Sequence, residues 1–214
     1  MRSTLPDKAP SLLVDVADYY TRKLVEHGET PRGVDWNSED GQQLRFAQLL
    51  KLLDGAEGFS LLDLGCGYGA LVEALQARFA HFDYLGLDVS AEMVEAARRR
   101  FASAGHLRFE VGTRVSAPLD FAVASGIFNV RMQRTPHEWR DYVNDTLDAL
   151  HAMSLRGFAF NCLTSYSDAD RQRDDLHYAD PCELFHRCKT RYGRNVALLH
   201  DYGLYEFTII VRKP

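Results

Sequence analysis

Cysteine is scarce in this chain of 214 residues, and its spacing fits neither a disulfide scaffold nor a common metal motif. No two of the four cysteines form a Cys-x-x-Cys pair: they are Cys66, Cys162, Cys182 and Cys188. A small secreted scaffold held by disulfides and a cysteine-based zinc site are therefore not expected. We interpret all four as free thiols in a reducing compartment, and the sequence predicts no metal site.

Long apolar runs and an excess of positive charge are also missing. No uncharged stretch is long enough to span a bilayer, and charged and proline residues among the first ten interrupt any signal-peptide core. There are 25 basic against 30 acidic residues, which gives a net charge of −5, and no basic stripe is present. Such a balance disfavours a nucleic-acid surface. We therefore expect a cytoplasmic protein that binds neither membranes nor nucleic acid.

Glycine, in contrast, recurs at alternate positions in one stretch. The apolar run Phe59–Leu64 is typical of a buried parallel strand, and Gly65, Gly67 and Gly69 follow it at alternate positions. Apolar residues at helical spacing then occupy residues 71–79. Since glycine has no Cβ, such a turn lets the backbone approach a ligand, and the next helix offers free N–H groups. A strand, a glycine turn and a helix in this order predict a site for a nucleotide-type ligand.

Two classes of ligand use this arrangement. Gly65, Gly67 and Ala70 match the Gly-x-Gly-x-x-Gly/Ala pattern of dinucleotide sites. Asp63 and the third glycine, Gly69, give instead acidic-x-Gly-x-Gly-x-Gly, which resembles the first motif of the class I S-adenosylmethionine (SAM) methyltransferases. The resemblance implies SAM as the cofactor, and a carboxylate at the strand end suits its cationic methionine end.

A second carboxylate follows at the end of the next strand. Residues 84–87 form an apolar run that leads into Asp88, 25 residues after Asp63. In a βαβ unit such a residue meets the ribose, whose two hydroxyls one carboxylate can accept. Ser90 is placed to cap the following helix, and Met93 on that helix is implied to lie against the adenine. Carboxylates at two successive strand ends strengthen the methyltransferase resemblance.

The resemblance implies thirteen cofactor-binding residues, drawn from strand ends, turns and the segment before the first strand. They are Trp36, Arg45, Asp63, Gly65, Cys66, Gly67, Asp88, Val89, Met93, Gly112, Thr113, Ser125 and Gly126. The third strand, residues 107–111, departs from the family pattern. Relatives often place an aspartate after this strand for the adenine amino group, whereas this chain has Gly112 and Thr113. That contact is therefore left to Thr113, the backbone or water.

The segment before the first strand predicts a cap. Helical patterns cover residues 11–26 and 38–53, and such additions often close over the cofactor in this family. We therefore predict a helical cap at residues 1–57 and a SAM-binding domain at residues 58–214. A polar stretch near residues 164–180 is too long for an ordinary connection, and we predict that it is a lid-like insert.

The end of the chain predicts a hairpin. Apolar strands at residues 195–200 and 205–211 flank a turn, and dinucleotide oxidoreductases usually lack such a terminal pair. The implied fold class is α/β, a three-layer Rossmann-like sandwich. Its seven-stranded sheet is mostly parallel and finishes with this C-terminal antiparallel hairpin.

The implied reaction is in-line displacement of the SAM methyl group by an acceptor atom. The leaving sulfide is neutral, so catalysis consists mainly of holding the acceptor close and aligned. An alcohol or phenol acceptor also needs a general base. The candidates for that base are His137, His177, His200, Asp201 and Tyr202.

The acceptor is expected to be a small molecule. The fourth strand, residues 119–124, is not followed by the Asn-Pro-Pro-Tyr-like sequence of many enzymes that methylate exocyclic amino groups. Aromatic and polar side chains suited to a compact acceptor are Phe128, Asn129, Tyr166, Tyr178, Tyr202 and Tyr205. Two alternatives stay open: an NAD(P)-binding oxidoreductase, which the glycine pattern permits, and a SAM-binding protein without catalysis.

Overall fold

Strands and helices alternate along the chain in the computed structural model, which describes residues 9–36 and 38–214. The first eight residues of the predicted cap, and Asn37, lie outside the described residues. The strands are β1 (Phe59–Leu64), β2 (Phe82–Asp88), β3 (Leu107–Val111), β4 (Leu119–Ala124), β5 (Ser154–Leu163), β6 (Asn195–Leu199) and β7 (Glu206–Arg212). The α-helices are α1 (Ala9–His27), α2 (Glu39–Leu49), α3 (Leu71–Gln76), α4 (Ala91–Arg100), α5 (Pro136–Ala152) and α6 (Pro181–Arg191). Short 3₁₀ turns occupy Pro31–Val34, Leu50–Leu53 and Ala169–Arg171.

All seven strands join one sheet in the order β3-β2-β1-β4-β5-β7-β6. β1 pairs in parallel with β2 and β4, as does β2 with β3 and β4 with β5. β7 runs antiparallel between β5 and β6, so β6 points the same way as the first five strands. The expected Rossmann-like sheet, mostly parallel with a C-terminal antiparallel hairpin, is therefore confirmed.

Helices cover both faces of the sheet because successive side chains of each strand point to opposite sides. Leu61 packs in the core under α2, α3 and α4, whereas its neighbour Leu62 packs under α5, α6 and the start of α1. The three layers leave the carboxyl ends of β1, β2 and β4 as an edge at which the connecting loops meet. None of the described helices combines the length and the apolar character that crossing a membrane requires.

Some element boundaries differ from the sequence pattern. β2 begins at Phe82, which pairs with Phe59, and β5 begins at Ser154, which pairs with Leu119. The strands extend past their apolar runs because ladder hydrogen bonds join backbone groups and do not require apolar side chains. Conversely, α3 ends at Gln76, because the residues after it already form the turn that leads into β2.

Candidate active site

A cavity of about 1180 Å³ opens at the edge formed by the carboxyl ends of β1, β2 and β4. All thirteen residues that the sequence proposed for the cofactor line it, from Trp36 before the sheet to Gly126 after β4. They converge because parallel strands end at the same edge, which brings together turns that are far apart in the chain. This cavity is therefore the candidate ligand-binding and active site.

Asp88 organises the polar side of this cavity. Its Oδ2 accepts a hydrogen bond from the N–H of Gly67 at 2.8 Å, and its Oδ1 accepts one from the N–H of Ser90 at 2.9 Å. The backbone oxygen of Asp88 also accepts from the N–H of Gly112 at 2.9 Å. Gly67 has φ +55°, a conformation that favours glycine. The side chain thus fixes the glycine turn and the start of α4 together.

Asp63, at the end of β1, is buried beside Asp88. Its Oδ2 accepts a hydrogen bond from the hydroxyl of Tyr84 at 2.7 Å. Burial raises the pKa of Asp63 to about 7, the Tyr84 hydroxyl opposes that rise, and the charge of Asp88 adds to it. Burial likewise raises the pKa of Asp88, against the stabilising N–H groups of Ser90, Gly67 and Val89. A cation bound in the cavity would favour the ionised form of both carboxyls.

Trp36 and Arg45 form the opposite wall. The guanidinium carbon of Arg45 lies 4.0 Å from the centre of the Trp36 ring. A Cβ atom at Gly126 would lie only 2.5 Å from Cζ2 of Trp36, so the indole lies directly against this glycine. Nε of Arg45 donates to Oε1 of Glu206 at 2.8 Å, and Nη2 of Arg45 lies 2.7 Å from the same oxygen. Arg45 therefore lines the cavity, but its charge is already paired with a carboxylate.

α1 and the segment 164–180 supply the remaining walls. From α1 come four apolar or aromatic side chains: Leu12, Leu13, Val16 and Tyr20. From the insert come Ser167, Arg171, Arg173, Leu176 and Tyr178. The Val130–Leu176 bridge joins the insert to the segment after β4, and the Thr164–Ala179 bridge joins the two ends of the insert. Both segments named as cap and lid thus contribute side chains to the cavity.

The residues proposed as a general base lie away from the cavity. His137 is exposed in the first turn of α5, His200 packs beside Tyr166 and Phe207, and Asp201 is exposed. In the described part of the chain, no histidine or lysine lines the cavity. Its titratable walls carry carboxylates and tyrosines instead, with the carboxylates coming from Asp35, Asp63, Asp88, Glu138, Asp141, Asp145 and Glu206.

The hairpin turn sits at the predicted edge, but different residues face inward. Leu204, Tyr205 and Glu206 line the cavity, whereas His200, Asp201 and Tyr202 do not. His200, Asp201 and Tyr202, which the sequence suggested as catalytic candidates, therefore do not reach the cavity. The Tyr202 hydroxyl lies 3.1 Å from Oγ1 of Thr208 in its own hairpin, and the His200 ring is taken up by aromatic contacts.

Of the remaining base and acceptor candidates, some line the cavity and others do not. His177 does not line the cavity, and burial together with the charges of Arg131 and Arg140 lowers its pKa to about 4. Of the proposed acceptor wall, Asn129, Tyr178 and Tyr205 line the cavity, but Tyr166 and the fully buried Phe128 do not.

Sequence reasoning missed two buried polar residues near this site, Asn161 in β5 and Glu206 in β7. Nδ2 of Asn161 donates to Oε2 of Glu206 at 3.0 Å, and Oδ1 of Asn161 accepts from the N–H of Gly126 at 2.8 Å. The sequence contained a signal for both residues. Asn161 interrupts the apolar part of β5, and Glu206 begins the largely apolar β7. A buried polar side chain in such a place requires partners.

Comparison with known proteins agrees with this architecture. The family described as "Methyltransferase domain" matches residues 61–153. A protein of Mycobacterium tuberculosis that is named as a methyltransferase is 57% identical over 164 residues, which cover 77% of this chain and 99% of that protein. Ribosomal RNA small subunit methyltransferase C of Stutzerimonas stutzeri is 44% identical over 59 residues, 28% of this chain and 18% of its own length.

Among solved structures, magnesium protoporphyrin IX methyltransferase from Synechocystis PCC 6803, with bound SAM, superposes with a TM-score of 0.67. The match covers 100% of both chains at 16% sequence identity, which shows a shared fold. The relative from Mycobacterium tuberculosis extends the similarity to sequence over most of the chain. With the acidic and glycine motif at the end of β1, the chain belongs to the class I SAM-dependent methyltransferases.

Proposed function

We propose that this chain transfers a methyl group from SAM to a small-molecule acceptor held in the same cavity. The observation that carries the proposal is the pair of buried carboxylates, Asp63 and Asp88, at successive strand ends on either side of the glycine turn. Asp63 has only a neutral hydroxyl, that of Tyr84, as a hydrogen-bond partner among the described residues. Such a pair of buried acidic acceptors fits a ligand that donates from an ammonium and two ribose hydroxyls.

Each part of the site has a distinct role in this proposal. Asp63 would receive the ammonium of the methionine end. Asp88 already accepts two backbone N–H groups, and its remaining lone pairs are available to hydroxyls. Met93, which is almost fully buried on α4, and Trp36 would provide apolar surface. The hydroxyl oxygen of Ser125 lacks a hydrogen-bond partner in the described structure and offers a further polar contact.

Bound SAM supplies a methyl group activated by a sulfonium, and the sulfide that leaves is neutral. No residue of the chain is therefore needed as an acid, and the walls act by positioning the acceptor and excluding water. Because the described lining lacks histidine and lysine, the side chains there that could act as a base are carboxylates, tyrosines and the Cys66 thiol. An acceptor whose reacting atom is nucleophilic without help from a base fits this site best.

The first test distinguishes ligands by thermal shift. SAM and S-adenosylhomocysteine are expected to raise the melting temperature, since a ligand that binds only the native state stabilises it by about 2.7 kcal/mol at a hundredfold excess over Kd. NAD is expected to have no effect. A rise with NAD alone would favour the oxidoreductase alternative. Binding of SAM without methyl transfer to any component of a metabolite extract would favour the non-catalytic alternative.

The acceptor class is tested separately. The polar and aromatic walls near Ser167, Tyr178 and Tyr205 suit a compact molecule, and magnesium protoporphyrin IX methyltransferase has the same fold. We expect a mass gain of one methyl group in a small metabolite and no binding to RNA or DNA. The partial match to a ribosomal RNA methyltransferase makes RNA the main competitor. Tight RNA binding that weakens steeply with salt would contradict the small-molecule proposal.

The pKa of Asp63 predicts how binding depends on pH. Because this pKa rises from 3.8 in the unfolded chain to about 7, the folded apoprotein holds a proton that the unfolded chain has lost between those values. Apoprotein stability should therefore fall as pH rises through this window. The ammonium of SAM favours the ionised carboxylate, so the affinity for SAM should rise with pH and level off near pH 7.

Calorimetry between about pH 5.5 and 7.5 checks this expectation. The affinity for SAM should rise by up to about tenfold per pH unit. Asp63→Asn is the control, because an amide does not titrate and its weaker binding should be independent of pH. Equal pH profiles for the variant and the wild type would contradict a role for Asp63 in the response.

A further inference from the structure

Glu206, the first residue of β7, is a buried carboxylate that lines the cavity. It is 1% exposed. Its Oε1 accepts from Nε of Arg45 at 2.8 Å and forms an ion pair with Nη2 at 2.7 Å, and its Oε2 accepts from Nδ2 of Asn161 at 3.0 Å. Both carboxylate oxygens are thus used, one by the N-terminal segment of the chain and one by the centre of the sheet.

Both partners of Glu206 connect it to the contact between Trp36 and Gly126. Arg45 stacks on the Trp36 ring, and Oδ1 of Asn161 accepts from the N–H of Gly126 at 2.8 Å. Trp36 and Gly126 are themselves in contact, because a Cβ atom at Gly126 would overlap the indole. The five residues therefore form a closed chain of contacts, which we call the contact ring. It joins α2, β4, β5, β7 and the segment before α2 around one wall of the cavity.

The charges around Glu206 favour a role in orienting its partners over a role in stabilising the core. Burial raises the pKa of Glu206, while Arg45 and then Asn161 oppose the rise. An apolar pair of similar size often stabilises a core as well as a buried ion pair does, so the pair needs another reason to be there. A planar guanidinium held at two nitrogens has a fixed plane, and a fixed plane fixes the indole stacked on it.

We propose that Glu206 is a positioning residue: it orients Arg45 and Asn161, and through them it holds the Trp36 indole against Gly126 at the end of β4. The claim that this wall contacts SAM rests on the proposed function. The claim that Glu206 positions Trp36 does not. Substitution of Glu206 should displace Trp36 even in the protein without cofactor, and it should weaken SAM binding as a consequence.

The two tryptophans of the chain allow a direct test. Protein labelled with 5-fluorotryptophan gives one ¹⁹F resonance for Trp36 and one for Trp139, and Trp36→Phe assigns them. Trp139 is buried in α5 and donates to the backbone oxygen of Phe128 at 2.9 Å, so it serves as an internal reference for the fold. Glu206→Gln should shift or broaden the Trp36 resonance, leave that of Trp139 unchanged, and raise the Kd for SAM about tenfold, which corresponds to about 1.4 kcal/mol.

Glutamine is expected to fail because it has one acceptor oxygen where Glu206 uses two. Its amide would face either Arg45 or Nδ2 of Asn161 as a second donor. Asp148→Asn is the matched control. This carboxylate accepts from Arg191 at 2.7 Å and joins α5 to α6, outside the cavity lining. It should change neither tryptophan resonance nor the Kd for SAM.

Arg45→Lys keeps the proposal testable if Glu206→Gln does not fold. Lysine retains the charge but has no planar group to stack on Trp36, so the Trp36 resonance should move here too. A Trp36 resonance that is unchanged in the variants that fold would overturn the proposal, as would equal changes of both tryptophans. A displaced Trp36 with an unchanged Kd would support positioning by Glu206 and overturn only the place of Trp36 in the SAM site.

Discussion

Replacing Asp88 with alanine is expected to weaken SAM binding on the order of a hundredfold while the protein stays folded. A hydrogen bond to a charged group contributes about 1.5–3 kcal/mol, and the proposal gives Asp88 two such bonds to the ribose. Together they amount to at least about 3 kcal/mol, or two factors of ten in Kd. The variant also releases the N–H groups of Gly67 and Ser90, which Asp88 now holds. Calorimetric titration with SAM measures the loss.

Asp120→Ala is the control for Asp88→Ala. Asp120 accepts from the backbone N–H and the hydroxyl of Ser60 at 2.8 and 2.9 Å, so it also fixes backbone beside a strand. It lies in the first half of β4, outside the cavity lining. Asp120→Ala should lower the melting temperature and leave the affinity for SAM unchanged. If Asp88→Ala had the same small effect on affinity, Asp88 would be only a structural cap.

Gly126→Ala is expected to weaken SAM binding on the order of thirtyfold. The new methyl group would lie 2.5 Å from Cζ2 of Trp36, so the indole has to move away from the end of β4. Overpacking of this kind costs about 1–3 kcal/mol, and here Arg45 and Glu206 resist the movement. Gly126 also has φ +77°, where a side chain adds about 1–2 kcal/mol of backbone strain.

Gly203→Ala separates these two contributions. Gly203 has φ +70°, but a Cβ atom there meets nothing within 4 Å. It lies in the turn between β6 and β7, outside the cavity lining. The two variants should therefore lose similar stability from strain, whereas only Gly126→Ala should lose affinity and move the Trp36 resonance. Equal affinities in the two variants would show that Trp36 does not shape the binding site.

Local sequence patterns were sufficient to predict the order of strands and helices around the glycine turn. Apolar runs and helical spacing placed the strands, and each of Asp63, Asp88 and Ser125 follows or ends one of them. Because parallel strands share a direction, every residue at such a position reaches the same edge of the sheet. This explains why the proposed cofactor residues at the strand ends line one cavity, whereas Trp36 and Arg45, which precede the sheet, were proposed from the family resemblance.

The partners of these side chains depend on long-range packing and could not be predicted from the sequence. Arg45 and Glu206 are separated by 161 residues and no periodic pattern relates them, so the pairing that occupies Arg45 could not be read from either segment. For the hairpin turn too, the sequence could not predict which side chains face the cavity. Its edge of the sheet follows from strand direction, but a turn has no repeating side-chain direction. Packing of His200 beside Tyr166 and Phe207 turned it away from the cavity and left Tyr205 facing inward.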